Sequence, residues 1–95
     1  MTEFSLHQLE SVLISRRNER PHGSYSLTLL NDPERAARKI MEEAFEFSVE
    51  ILRPRLDPQR TAAEAADLVF HLLAGLVGAG ISVDDVLAEL SRRRS

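Results

Sequence analysis

The sequence contains no cysteine and no tryptophan, and it has only four glycines and four prolines. Without cysteine the chain can form no disulfide framework, no thiolate zinc site and no cysteine nucleophile. The scarcity of glycine and proline, together with the lack of strand-like alternation, predicts an all-α chain. The formal net charge of −3 argues against general nucleic-acid binding, which requires a basic face.

Long apolar runs are also scarce. No N-terminal apolar stretch resembles a signal peptide, and charged residues or glycine interrupt every apolar run before it reaches membrane-spanning length. We therefore expect no membrane association and a cytoplasmic location. The 95 residues suffice for a single domain, residues 1–95, with a modest core.

Helix start signals divide the chain into a predicted small helical bundle of four to five helices. The segments 5–8 and 82–85 fit capping boxes, and the Asp-Pro pairs at 32–33 and 57–58 each place an N-cap residue before a helical proline. A short helix is predicted within 24–30, and Gly80 is expected to end the helix that starts at 57–58. The side chains predicted to face the core are Leu6, Leu9, Val12, Leu13, Leu27, Leu30, Ala37, Ile40, Met41, Ala44, Phe47, Ser48, Ile51, Val86, Leu87 and Leu90.

One side of the third predicted helix is acidic. Residues three and four apart share a helix face, and the residues on this face are Lys39, Glu42, Glu43, Glu46 and Glu50. Taken alone, such a face is more typical of solvent exposure than of a site.

The fourth predicted helix changes that interpretation. It is apolar around most of its circumference between residues 61 and 77, so it is predicted to be largely buried. Its only ionisable residues after Arg60 are Glu64, Asp67 and His71, spaced i, i+3, i+7 on one stripe that Gly75 and Gly78 continue. Acids on a buried helix are costly unless they are paired or bind a cation.

Two explanations of these acids remain open at this point. Glu64 and Asp67 could pair with basic side chains, for which the candidates are Arg16, Arg17 and Lys39. We favour a group of carboxylates from two helices that holds a divalent metal. Magnesium prefers carboxylate oxygens and water, and it commonly bridges proteins to phosphates. Such a metal would neutralise phosphate charge and lower the pKa of an attacking water, whose proton a second carboxylate could accept.

The ordered motifs of the chain resemble a known family. Glu43-x-x-Glu46, followed by Glu64-x-x-Asp67, is similar to the paired acidic motif of the all-α nucleotide pyrophosphohydrolases, and in particular of the phosphoribosyl-ATP pyrophosphohydrolases. The other landmarks that resemble this family are Gly23-Ser-Tyr-Ser, Leu29-Leu30, Lys39-x-x-Glu42, the Leu68-x-x-His71 that follows Asp67, and Val83-x-Asp85-Val86-Leu87. Phe70 departs from the pattern, since the family commonly has tyrosine there.

The resemblance implies Mg²⁺-dependent hydrolysis of the α–β phosphoanhydride of phosphoribosyl-ATP, which gives phosphoribosyl-AMP and pyrophosphate in histidine biosynthesis. Carried over residue by residue, the implied metal ligands are Glu42, Glu43, Glu46, Glu64 and Asp67, of which the last four are the catalytic candidates. The implied substrate-binding residues are Ser24, Tyr25, Lys39 and His71.

Two other functions remain possible on the sequence alone. One is a related pyrophosphohydrolase that acts on another nucleoside triphosphate, and the other is a non-catalytic helical interaction module. Assembly is a further expectation. A mostly apolar helix in so short a chain needs more cover than a few short helices supply, so we predict a homodimer or dimer-based oligomer with residues 61–77 near the interface.

Overall fold

A computed structural model describes residues 4–94, which form five α-helices and no strand. The helices are α1 (Leu6–Glu19), α2 (Tyr25–Leu30), α3 (Pro33–Ile51), α4 (Pro58–Gly78) and α5 (Val83–Arg92). The prediction of a small all-α bundle is confirmed.

Local capping interactions define where the helices begin. The Ser5 hydroxyl accepts the Gln8 backbone N–H while the Gln8 side chain accepts the Ser5 N–H, and Ser82 forms the equivalent box with Asp85. Asp32 and Asp57 cap α3 and α4, each followed by proline. All four start signals in the sequence are therefore confirmed, because each depends only on neighbours a few residues apart.

A glycine-terminated motif ends α4, as the sequence predicts. Gly80 has φ +77°, a backbone conformation that residues with a Cβ rarely adopt. Its N–H donates to the Val77 carbonyl at 3.0 Å, and the Ile81 N–H donates to the Leu76 carbonyl at 2.9 Å. This hydrogen-bond pattern satisfies two carbonyls of the last turn and turns the chain toward α5.

Helix α4 lies at the centre of the bundle, where it contacts α1, α2 and most extensively α3. The buried apolar side chains are Leu13, Leu29, Leu30, Ala36, Leu73, Ala74, Val77 and Val83. The chain places α3 and α4 side by side through a six-residue connection, 52–57. Carboxylates from the two helices can therefore meet along this contact.

The orientation of α3 differs from the prediction. The buried residues of α3 are Ala36, Glu43 and Glu50. Four residues that the sequence predicts to face the core are exposed instead: Ala37, Met41, Ser48 and Ile51. The helix thus turns part of its acidic side toward α4. This is possible because Glu50 pairs with Arg53 and Arg60. Glu43 lies 3.8 Å from Lys39 and faces Glu64 and Asp67 of α4.

The predicted burial of the terminal helices is also wrong in part. Leu6 and Val12 of α1 are exposed, and so are three side chains of α5 (Val86, Leu87 and Leu90). Helix α5 rests on α1 mainly by its first turn, where the Val83 N–H donates to the Glu10 carboxylate at 2.7 Å. A ten-residue helix attached at one end leaves its later apolar residues uncovered in a single chain.

Helix α4 has the length and composition of a membrane-spanning helix, and the core helix of a soluble protein meets the same criterion. Glu64, Asp67 and the glycines at 75 and 78 interrupt the apolar run of α4, as expected from the sequence, but the helix as a whole is still apolar enough to meet this criterion. Its contacts with three other helices are those of a core helix. It is nevertheless less buried than predicted, since Leu72 and the alanines at 62, 63 and 66 are exposed.

Candidate active site

Three carboxylates converge where α3 packs on α4, with Glu43 buried, Glu64 partly buried and Asp67 exposed. One carboxylate oxygen from each of Glu43, Glu64 and Asp67 lies within 4.8 Å of the other two. We call these three residues the carboxylate cluster. Oxygens bound to one ion have separations of this order, because Mg–O bonds are about 2.1 Å long.

Two oxygens of the carboxylate cluster have no hydrogen-bond partner in the part of the chain that the structure describes. Glu43 Oε2 and Glu64 Oε2 are buried and accept no hydrogen bond from any residue in the described range 4–94. A buried carboxylate oxygen without a donor is costly, and a bound cation removes that cost. The donor set therefore fits a hard divalent metal such as Mg²⁺, which prefers oxygen ligands.

The raised pKa values of two carboxyls of the cluster also favour a bound cation. Burial raises the pKa of the Glu43 carboxyl, and the charges of Glu46 and Asp67 raise it further. The pKa of Glu64 is raised by the same three influences in the same order. Glu46 is itself exposed, but its side chain lies beside both Glu43 and Glu64. A cation would relieve the repulsion among these four acids.

Glu42 occupies a different position from the other acids of the motif. Its carboxylate points along the helix surface to Lys39, whose Nζ lies 3.1 Å away, and it is not one of the three converging carboxylates. The same Nζ lies 3.8 Å from Glu43, so Lys39 links the surface to the edge of the cluster. The hydrogen bond from Lys39 to Glu42, more than any other contact, raises the pKa of the lysine.

Tyr25 and His71 form the other edge of the site. The Tyr25 hydroxyl and His71 Nε2 are 2.8 Å apart, and His71 Nδ1 lies 2.7 Å from the Asp67 carbonyl. Because a carbonyl only accepts, Nδ1 carries the proton, and in a neutral ring Nε2 then accepts from the tyrosine. Phe70 stacks on the Tyr25 ring. These contacts hold the start of α2 against α4, one turn from Asp67.

Ser24 has a structural contact in addition to its predicted role. Its hydroxyl accepts the Leu27 N–H at 3.3 Å as the N-cap of α2. Ser24 and Tyr25 line an open cavity of about 640 Å³ between the end of α1 and α2. The structure thus brings the predicted substrate segment to the histidine end of the carboxylate cluster.

The alternative explanation of the acids as partners of nearby cations finds no support in the described residues. Within residues 4–94, neither Glu64 nor Asp67 forms an ion pair with a basic side chain. One of the proposed partners, Arg17, instead donates to the Val77 carbonyl at 2.7 Å.

Sequence reasoning missed one charged group near the site. Glu50 is almost fully buried, and its carboxylate binds two arginines, Arg53 in the α3–α4 connection and Arg60 in the first turn of α4. The spacing of the sequence does place both on the faces of the site, since Glu50 lies four residues after Glu46 and Arg60 four residues before Glu64. Only the antiparallel packing of α3 on α4 makes these residues neighbours.

Comparison with known proteins supplies the family context. The family described as phosphoribosyl-ATP pyrophosphohydrolase matches residues 6–94. A protein named phosphoribosyl-ATP pyrophosphatase from Methylobacterium nodulans is 38% identical over 94 residues, covering 98% of this chain and 86% of the relative. Proteins of the same name from Caulobacter vibrioides (39% identical, 93% and 80% covered) and Saccharolobus islandicus (36%, 99% and 99%) are also similar.

Proposed function

Because this chain belongs to the phosphoribosyl-ATP pyrophosphohydrolase family, whose members are hydrolases acting on a diphosphate bond, we propose that it hydrolyses phosphoribosyl-ATP to phosphoribosyl-AMP and pyrophosphate with Mg²⁺ as cofactor. The observation that carries this proposal is the pair of buried oxygens of Glu43 and Glu64, beside Asp67, that have no hydrogen-bond partner among residues 4–94. The reaction serves histidine biosynthesis, and we place it in the cytoplasm. Membership of an enzyme family also argues against the alternative function, a non-catalytic interaction module.

The carboxylates of the site would bind the metal and accept a proton. Glu43, Glu64 and Asp67 would hold the metal, and Glu46 lies close enough to complete the set. When bound, Mg²⁺ would offset phosphate charge and lower the pKa of a water molecule. One carboxylate of the group accepts the proton of the attacking water.

The residues at the edge of the carboxylate cluster orient the substrate. Lys39, a half-buried cation beside Glu43, is placed to meet a phosphate oxygen. Tyr25, held by His71, presents an exposed ring in the wall of the α2 cavity, where it can contact the nucleoside. We assign Glu42 to the orientation of Lys39, because the two are paired at 3.1 Å outside the three converging carboxylates.

A substrate panel tests this proposal. The purified protein is incubated with phosphoribosyl-ATP and, separately, with the common nucleoside triphosphates, each with Mg²⁺ and with chelator, and pyrophosphate release is measured. We expect release from phosphoribosyl-ATP that chelator abolishes. Preferential release from another triphosphate would identify a sister pyrophosphohydrolase instead, and equal release in chelator would refute the metal assignment.

We also propose that the protein is a homodimer or a dimer-based oligomer, with its interface on α3 and not, as the sequence pattern predicts, near residues 61–77. The second half of α3 and its C-cap carry an exposed apolar stripe, formed by Met41, Phe45, Val49 and Leu52. Met41 is 65% exposed, Phe45 70% and Leu52 79%, a concentration of apolar surface that single soluble chains rarely leave uncovered. Because Phe45 and Val49 of this stripe also line a cavity with Glu64 of the carboxylate cluster, a partner on the stripe would lie near the site.

Light scattering tests the assembly. A dimer is expected at micromolar concentration, and Met41→Glu should give monomers because it places a charge in the apolar stripe. Leu90→Glu, an equivalent change on α5, is the matched control and should keep the dimer. A monomeric parent protein would refute the proposal.

A further inference from the structure

Glu50, Arg53 and Arg60 form a charged group beside the carboxylate cluster that the proposed mechanism does not use. The Nε atom of Arg53 lies 3.0 Å from one oxygen of Glu50, and that of Arg60 lies 3.1 Å from the other. The Glu50 side chain is only 4% exposed, whereas the arginines are 44% and 61% exposed. A buried carboxylate thus fixes two guanidinium groups that reach solvent.

Both arginines retain most of their hydrogen-bonding capacity. A guanidinium has five N–H donors, and each arginine uses its single Nε–H on Glu50. Within residues 4–94, the terminal nitrogens of Arg53 and Arg60 donate to no other group. Guanidinium groups that are oriented in advance and still have free N–H pairs are suited to bind phosphate oxygens in a bidentate manner.

These arginines share a cavity with the metal-site acids. A cavity of about 380 Å³ is lined by Glu46, Glu50, Arg53, Arg60 and Glu64, with Phe45 and Val49 as its apolar wall. Glu64 also belongs to the carboxylate cluster. An anion in this cavity would therefore contact the arginines on one side and a metal held by the carboxylates on the other.

The order of residues along α4 suggests which part of the substrate lies there. Arg60, Glu64, Asp67 and His71 follow one another along α4, and the eleven steps from the first to the last span about 16 Å of helix. The histidine end holds Tyr25 and the α2 cavity, whereas the opposite end holds the two arginines. A nucleotide bound across the cluster with its nucleoside at Tyr25 would have its terminal phosphates at the arginine end.

The geometry points to Arg53 and Arg60 as binding residues for the departing diphosphate, with Glu50 as the residue that positions them. This inference rests on the proposed function and deepens it. In hydrolysis at the α–β bond, water adds to phosphorus, the bridging oxygen leaves with the β- and γ-phosphates, and the proton of water goes to a carboxylate. The two guanidinium groups would neutralise the charge that develops on the leaving diphosphate.

The competing explanation is structural. In that case the arginines only neutralise buried Glu50 and hold the α3–α4 connection together. Removing one arginine would then lower stability, because a buried carboxylate loses a partner, but it would leave the binding of phosphate compounds unchanged.

Calorimetric titration with magnesium pyrophosphate and, separately, with AMP distinguishes the two explanations. We expect Arg53→Gln and Arg60→Gln each to weaken pyrophosphate binding about tenfold, the lower end of the range for hydrogen bonds to charged groups, because both side chains are partly solvated. AMP affinity should change less than twofold. Arg55→Gln is the matched control, since Arg55 is exposed in the same connection and does not line the cavity.

A double variant keeps the test valid if the single variants are unstable. Glu50→Gln combined with Arg60→Gln removes the buried charge together with one of its two partners, so the melting temperature should recover. Pyrophosphate binding should remain weak in this variant. Recovery of binding along with stability would show a structural role and overturn the inference.

Other results would also overturn it. These are unchanged pyrophosphate affinity in both arginine variants, an equal loss in Arg55→Gln, or an equal loss of AMP binding. Turnover of phosphoribosyl-ATP by the parent protein is measured in parallel. A parent that releases pyrophosphate while its arginine variants bind it normally refutes only this inference, whereas a parent with no turnover refutes the proposed function.

Discussion

Replacing Asp67 with asparagine separates a metal ligand from a structural ion-pair partner. The substitution removes one charge and keeps the size of the side chain. It leaves the Asp67 carbonyl, which accepts from His71 Nδ1, in place. The charge of Asp67 raises the pKa values of Glu43 and Glu64, so its removal relieves repulsion in the metal-free protein. We therefore expect the variant, in chelator, to melt at or above the temperature of the parent.

Added Mg²⁺ should raise the melting temperature of the variant less than that of the parent. A ligand present at 100 times its dissociation constant stabilises the native state by about 2.7 kcal/mol. For a domain of this size that corresponds to a rise in melting temperature of about 10–20 °C. If the loss of one carboxylate weakens binding tenfold, the same Mg²⁺ concentration contributes only about 1.4 kcal/mol, so the rise is roughly halved. Pyrophosphate release should fall to nearly zero.

Melting curves of both proteins, with Mg²⁺ and with chelator at one protein concentration, test this reasoning. Asp84→Asn is the matched control, because Asp84 makes an exposed contact with His7 at the α1–α5 junction and should not affect the Mg²⁺ response. The reasoning is refuted if the Asp67 variant melts well below the parent in chelator and gains as much from Mg²⁺. That pattern would identify Asp67 as a structural partner.

Two further predictions concern glycine packing and pH. A Cβ at Gly78 would lie 3.0 Å from the Leu30 carbonyl oxygen, whereas one at Gly75 would meet only a flexible side-chain end at 3.1 Å. Gly78→Ala should therefore lower the melting temperature, and Gly75→Ala should hold or raise it. Equal effects of the two substitutions would contradict this. The pKa values of Glu43 and Glu64 are raised in the metal-free protein, so their contribution to its stability is complete below the ordinary pKa of 4.5 and is lost as pH rises through the raised values. Glu64→Gln should therefore flatten the fall in stability with pH, measured in chelator. An unchanged slope would refute the assignment.

Features with local causes were predictable from the sequence. The starts of four helices and the end of α4 depend on residues within one turn, such as Ser5 with Gln8, or on the backbone of Gly80. The convergence of Glu64 and Asp67 with acids of α3 was also predictable, because their spacing places them on one stripe of an otherwise apolar helix. Ionisable groups in that position need a partner that the helix itself does not supply.

The rotation of α3 about its axis was decided only by tertiary structure. Sequence periodicity alone assigns its acidic side to solvent, yet Glu43 and Glu50 are buried, and Met41 lies outside. The reason is that a carboxylate can be buried when partners arrive from elsewhere in the chain. For Glu50 these partners include Arg60, ten residues away across a connection. The contact of Tyr25 with His71, 46 residues apart, has the same origin. Helical spacing specifies which residues share a face, but the packing of α3 on α4 specifies which face is inside.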